Sequence, residues 1–145
     1  PARVKKPFST DLPAVTSDYF PTSLAAAGIP LPDDREYDGI NLLPLIDGKM
    51  KKRKGIGFHC RGMDAWIEKK YKIIRISSKK EQKNPWELYD LLKDPYEEND
   101  LAKKIPAVVE RMNQEFTVWA TSVKADEQKV LKKYHSSKTK KKKSK

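Results

Sequence analysis

Hydrophobic positions along this chain change their period, and each change marks a different element. Ile105, Val108, Val109, Met112, Phe116, Trp119, Ala120 and Val123 fall at offsets 0, 3, 4, 7, 11, 14, 15 and 18, one continuous helical stripe. Pro106 sits in its first turn, where a missing N–H is tolerated. Upstream the period is two. In residues 56–61 the apolar Ile56, Phe58 and Cys60 share one face, and Gly57, His59 and Arg61 share the other. Residues 65–68 and 71–76, joined by Lys69-Lys70, predict two further strands, and 86–91 a fourth, with the polar residues 77–84 as an exposed loop. The fold class is α+β: a small antiparallel sheet of about four strands with a long C-terminal helix covering one face.

Residues 1–48 read differently. They are rich in proline and turn formers, with one helical island in which Phe20, Leu24 and Ala27 recur at helical spacing. Ser17 or Asp18 can cap its start, Pro21 fits its first turn, and Gly28 ends it. A Pro-rich loop at 29–34 and a short apolar stretch at 40–46, broken by Pro44, complete a region too small to fold alone. At the other end the apolar signal thins beyond Ala125, and residues 136–145 are expected to be disordered.

Charge follows this division. The chain has 145 residues, a formal charge of +11 and 37% hydrophobic residues, low against the ~45–50% of globular chains. Residues 132–145 hold eight lysines and no acid, which leaves 23 basic against 20 acidic residues in the first 131. The body is therefore nearly balanced and the basic character belongs to a tail. One cysteine, Cys60, excludes an internal disulfide and a cysteine-based zinc site. No run approaches the ~18 apolar residues of a membrane span. The start Pro1-Ala2-Arg3 reads as a processed or truncated chain, so the absence of a leader carries no information on location.

Candidate chemistry is sparse. Cys60 is the only thiol, and adjacent strand residues point to opposite faces, so His59 does not serve it as a base; a buried structural cysteine is the expectation. His59 and Arg61 project together and could bind an anion such as sulfate, phosphate or carboxylate, or simply form a solvated face. Asp33-Asp34 lacks a nearby third ligand for a metal. Asp94, Glu97, Glu98 and Asp100 precede the long helix, where acids favour the positive end of its dipole. The lysines of 49–54 and of the tail could neutralise phosphates without reading sequence, but no aromatic interleaves the terminal run to stack bases.

The order of short motifs is more informative. Ser9-Thr10-Asp11, then Asp18-Tyr19-Phe20-Pro21-Thr22 running to Ala27-Gly28-Ile29, then Asp38-Gly39 with Leu42-Leu43-Pro44-Leu45-Ile46-Asp47-Gly48, resembles the stretch of sulfatases that follows their catalytic motifs. Ala65-Trp66-Ile67, Tyr71-Lys72-Ile73-Ile74-Arg75, Glu87-Leu88-Tyr89-Asp90-Leu91, Asp94-Pro95, Glu97 and Asn99 to Ala102 look like the sulfatase C-terminal subdomain. The likeness covers residues 1–123.

The resemblance implies an arylsulfatase-like hydrolase of sulfuric esters in the alkaline phosphatase superfamily. Residues 1–48 would be the incomplete end of its catalytic α/β domain, 49–131 its C-terminal subdomain and 132–145 a disordered tail foreign to the family. Trp119 would pack on the sheet and hold the subdomain closed. Calcium and a formylglycine made from a C-x-P-x-R or S-x-P-x-R motif are implied for the complete enzyme, but Cys60-Arg61-Gly62-Met63-Asp64 lacks the Pro and Arg of that motif. No catalytic or metal residue is expected in this chain, which should be inactive alone. Its implied partners are the missing N-terminal catalytic domain and a sulfated substrate, with His59 and Arg61 as cleft contacts and no specific nucleic acid. Family resemblance suggests a periplasmic or secreted location. The rival readings are a basic non-catalytic module binding nucleic acid or another polyanion, and a degenerate homologue kept as a partner.

Overall fold

The computed structural model describes residues 3, 4, 6–77 and 84–143. Four strands, β1 (Ile56–Cys60), β2 (Met63–Glu68), β3 (Tyr71–Ile76) and β4 (Glu87–Asp90), form one antiparallel sheet in sequence order. Two helices precede it, α1 (Tyr19–Ala26) and α2 (Leu43–Ile46), and α3 (Pro106–Lys143) follows it. The expected α+β arrangement is therefore present. Most of the loop expected at 77–84 lies outside the described residues.

The hairpins fix the register. Cys60 pairs with Met63, leaving Arg61 and Gly62 as a two-residue turn with φ of 45° and 87°. Positive φ at both positions matches the right-handed twist of the strands it joins. Glu68 pairs with Tyr71, and Lys69 takes φ 52° at a turn position where glycine or asparagine is usual.

The core lies between the sheet and α3. Trp66, Ile73, Leu88, Met112 and Phe116 form its buried centre, with Ile105, Val108, Val109, Trp119 and Ala120 packed around it. These α3 residues belong to the stripe read from the sequence. The face they cover is the one carrying Gly57 and His59, because Gly57 pairs with Trp66 and His59 with Asp64. The sequence pattern marked Ile56, Phe58 and Cys60 as the apolar face of β1, yet Phe58 and Cys60 are exposed. Glycine explains the inversion. A Cβ on Gly57 would stand 2.3 Å from the Trp119 ring, so its missing side chain is what lets the indole lie on the strand. Cys60 is consequently exposed, not buried as expected.

Residues before the sheet are tied to it by a buried ion pair. Asp18 is fully buried and Arg53, in the irregular segment leading to β1, has a side chain only 2% exposed. Arg53 Nη1 donates to Asp18 Oδ2 at 2.6 Å and Nη2 to Oδ1 at 3.1 Å, while the amides of Val15 and Ile40 donate to the same carboxylate, each at 2.9 Å. Asp18 therefore does not cap α1 as expected; its carboxylate turns toward Arg53 and makes no cap hydrogen bond. Gly28 does end α1, with φ 71° and the Ile29 amide donating to the Leu24 carbonyl at 2.9 Å, the six-to-one bond of a Schellman motif. A second tie is the Trp119 indole, which donates to Asp38 Oδ1 at 2.9 Å.

The acids before α3 also do other work than expected. Asp94 accepts from the amides of Glu98 and Asn99, Asp100 from those of Leu88 and Ala102, and Glu97 pairs with Lys72. They organise the connection from β4, and none lies in the first turn of α3.

Beyond Val123 the helix continues to Lys143, where disorder was expected from 132 or 136 onward. No glycine or proline follows Pro106, and lysine and alanine are good helix formers. Once the first turns are docked on the sheet the nucleation cost is met and each further residue adds a bond.

Removing the Asp18 carboxylate leaves a buried guanidinium without its counter-charge. Asp18→Ala is expected to lower stability by about 3–5 kcal/mol, measured by urea unfolding. A loss below about 1 kcal/mol would show that water replaces the carboxylate and that the tie is dispensable.

Candidate functional site

His59 stands near the end of β1 at the edge of the sheet, opposite Asp64 on β2. Its Nδ1 lies 2.6 Å from Asp64 Oδ1. An ionised carboxylate only accepts, so this contact places the Nδ1 proton between them and leaves Nε2 for another partner. On the far side of Asp64, Arg75 from β3 donates from Nε at 2.8 Å and Nη2 at 2.6 Å, both to Oδ2. Arg75 is itself held by aromatic faces, with its guanidinium carbon 4.2 Å from the centre of the Trp86 ring and 5.7 Å from that of Phe116. Cross-strand register thus builds a row across three strands.

Burial pushes the Asp64 carboxyl up, but the hydrogen bonds from His59 and Arg75 outweigh it, and its pKa falls below the ordinary carboxylate value. The row borders a cleft of about 250 Å³ between sheet and helix, whose walls include Phe116, Trp119, Lys124 and Glu127. His59 has a 63% exposed side chain, so its imidazole is available to solvent or ligand.

Arg61, the other expected contact, occupies the β1–β2 turn and not the strand. It is exposed and makes no hydrogen bond or ion pair among the described residues. The structure brings His59 together with Asp64 and Arg75 in place of Arg61. Sequence reading missed both partners because their proximity depends on register. The strand expected at 65–68 begins one residue too late to include Asp64, which the structure places on β2 on the same face as Trp66.

Among the described residues no group of three or more His, Cys, Asp or Glu side chains is placed to hold a metal ion. Asp34 is engaged by Arg35, with Nη2 at 2.7 Å, and by the Tyr37 hydroxyl at 2.7 Å, which hold its pKa down to about 2. These residues do not fit a calcium site, and Cys60 is not set in a formylglycine motif. No step through either group is derived from this chain.

A carboxylate whose pKa is depressed on folding stabilises the fold above its unfolded value, near ~3.9, and that contribution is lost as pH falls through the folded value. Asp64→Asn is therefore expected to cost about 3 kcal/mol near neutral pH. In urea unfolding series the gap between wild type and variant should close below about pH 4. A gap independent of pH would mean that packing, and not the charge of Asp64, holds the row.

No protein-family model matches the chain. Human steryl-sulfatase is 48% identical over 42 residues, 29% of this chain and 7% of that protein. A solved Bacteroides thetaiotaomicron protein from a core genetic locus for the metabolism of multiple glycosaminoglycans is 27% identical with a TM-score of 0.59, over 72% of this chain and 24% of its own. The putative sulfatase yidJ from Bacteroides fragilis, 20% identical, shares the fold with a TM-score of 0.58 over 72% of this chain and 24% of its own. The chain thus spans about a quarter of the length of these solved relatives. In sequence over a short stretch, and in fold over about three quarters of its length, the chain is similar to part of such sulfatases.

Proposed function

We propose that the complete protein hydrolyses sulfuric esters and that this chain supplies a supporting subdomain that borders the substrate cleft. The observation that carries the reading is the 48% identity to steryl-sulfatase over 42 residues. The proposal includes a division at 48 and 131, with residues 1–48 as the end of the catalytic α/β domain and 49–131 as the subdomain braced against it. Nucleophile and calcium ligands belong to the rest of that catalytic domain, which is the partner of this chain.

The surface of residues 1–48 supports a covered role. Phe8 is 53% exposed, Tyr19 69% and Phe20 50%, and Val4, Ile29 and Leu31 are exposed as well. Apolar groups clustered this way on a small unit mark a surface that another body covers. Phe20, on α1, stacks on Tyr37, their rings 5.6 Å apart.

We assign His59, which lines the cleft, and Arg61, on the adjoining β1–β2 turn, to the anionic substrate. Asp64 holds the imidazole at Nδ1 and leaves Nε2 uncommitted, and Arg61, on the adjacent turn, has no ion pair among the described residues. Nε2 donates only when the imidazole is protonated, and in that state charge-assisted bonds from it and from Arg61 would recognise a sulfate or carboxylate.

Two measurements test this. In the complete enzyme His59→Ala with Arg61→Ala should lower kcat/KM by about tenfold, the effect of about 1.4 kcal/mol of lost binding. An unchanged kcat/KM removes both residues from the cleft while leaving the family assignment intact. The chain alone should give no turnover of an aryl sulfate with or without added calcium, and turnover by the purified chain would contradict the supporting role.

A further inference from the structure

Away from His59 the chain has a larger cavity, of about 560 Å³. It lies where residues 8–12, residues 45–51 and the β2–β3 turn at 69–71 meet, and it shares no lining residue with the His59 cleft. Its size falls within the roughly 300–1,000 Å³ of small-molecule sites. Phe8, Leu12, Leu45, Met50, Tyr71 and Leu92 supply apolar walls. Phe8 and Leu92 are each 53% exposed, so part of that wall faces water.

Charge on the lining is unbalanced. Lys70 is already engaged, its Nζ 2.9 Å from Asp90 Oδ2 and 4.8 Å from the centre of the Tyr71 ring. Lys51 and Lys69 are exposed and make no hydrogen bond or ion pair among the described residues. Asp11, also exposed, is the only acid on the lining. Two free ammonium groups against one carboxylate leave a place for one more negative charge. Lys69 stands there against the preference of its backbone. At φ 52° it holds the left-handed conformation, which a β-carbon disfavours and which glycine or asparagine adopts more readily. Strain of this kind at the rim of a cavity is a mark of function.

We propose that this cavity binds a small amphiphilic anion, its apolar ring or chain lying against Phe8, Met50 and Leu92 and its sulfonate, sulfate or carboxylate held by Lys51 and Lys69. An uncharged apolar body would leave both ammonium groups unpaired, and an inorganic anion would leave the apolar walls in water. Only a molecule with both parts satisfies the whole lining. The proposal does not rest on the sulfatase reading.

A matched pair of fluorescent probes separates the two contributions. 8-Anilinonaphthalene-1-sulfonate carries the anion, and N-phenyl-1-naphthylamine is the same ring body without it. Each is titrated into the full chain at about 0.1 M salt, where distant charges are screened. Lys51→Gln with Lys69→Asn, the second chosen because asparagine tolerates positive φ, should weaken the sulfonate at least about fivefold and leave the neutral probe unchanged. Leu92→Gln should weaken both probes about threefold or more. Lys103→Gln with Lys104→Gln, at two exposed lysines outside the cavity, should change neither. Sulfonate binding unaffected by the Lys51 and Lys69 changes, or weakened as much by those at Lys103 and Lys104, would overturn the proposal, since net charge alone would then attract the anion. Wild-type affinity for both probes in the Leu92 variant would overturn it too, because the apolar wall would take no part. Urea unfolding checks that each variant is folded, and if Leu92→Gln is not, Leu92→Ala is read by the same criteria.

Discussion

The buried pair of Asp18 and Arg53 is the constraint on which the position of everything before the sheet depends. Burial drives the Asp18 carboxyl upward, yet Arg53 and the amides of Ile40 and Val15 reverse the balance and its pKa falls below the ordinary value. A carboxylate with four donors and a guanidinium that also reaches the Pro13 carbonyl at 3.0 Å leave few polar valences open. Such a pair is weak evidence for net stability, since two charges had to leave water. Its geometric consequence is stronger. Val15, Ile40 and Arg53 come from three separate stretches of chain, and one carboxylate fixes their mutual distance. Gly39 extends the same contact: a Cβ there would overlap the Ser17 carbonyl oxygen at 2.0 Å, so the backbones touch directly.

The long helix is held by a complementary device. Trp119 lies over Gly57 and reaches Asp38 with its indole N–H, so one side chain joins the sheet, the helix and the loop that follows α1. Phe116 and Trp66 surround it, with ring centres 5.7 and 6.2 Å away at tilted angles. Where this aromatic group ends, the helix ceases to be held by the sheet.

How much of this could be read beforehand depends on the range of the interaction. Periodicity is a local property, so the α3 stripe, the four strands and the Gly28 terminator were visible in the sequence. The face of β1 toward the helix was misjudged because hydrophobicity was counted where volume mattered; half-buried Gly57 receives the Trp119 ring although it contributes no apolar side chain. Asp18 looked like a cap because capping is the commonest local use of such a residue, and its actual partner lies 35 residues away. The row of His59, Asp64 and Arg75 requires the pairing of β1 with β2 and of β2 with β3 to be known. Arg61 was placed beside His59 by continuing the strand one residue too far, past the point where positive φ begins the turn.

The sheet has a second face, and its condition bears on the proposed role. Phe58 and Met63 are each 37% exposed, Ile76 is exposed, and by strand alternation they share one side with Ala65, Ile67 and Ile74. The helix stabilises only the opposite side. On that side Ile56, Ala65 and Tyr89 are buried, so the apolar surface left exposed lies at the hairpin end around Phe58, Met63 and Ile76. Together with the exposed groups of residues 1–48, this gives the unit two apolar surfaces and one polar, hydrogen-bonded edge at His59. A body docked on the apolar surfaces would leave that edge facing the boundary between the two. Under the proposed function, a cleft formed there would have the His59 imidazole, held by Asp64, on its rim.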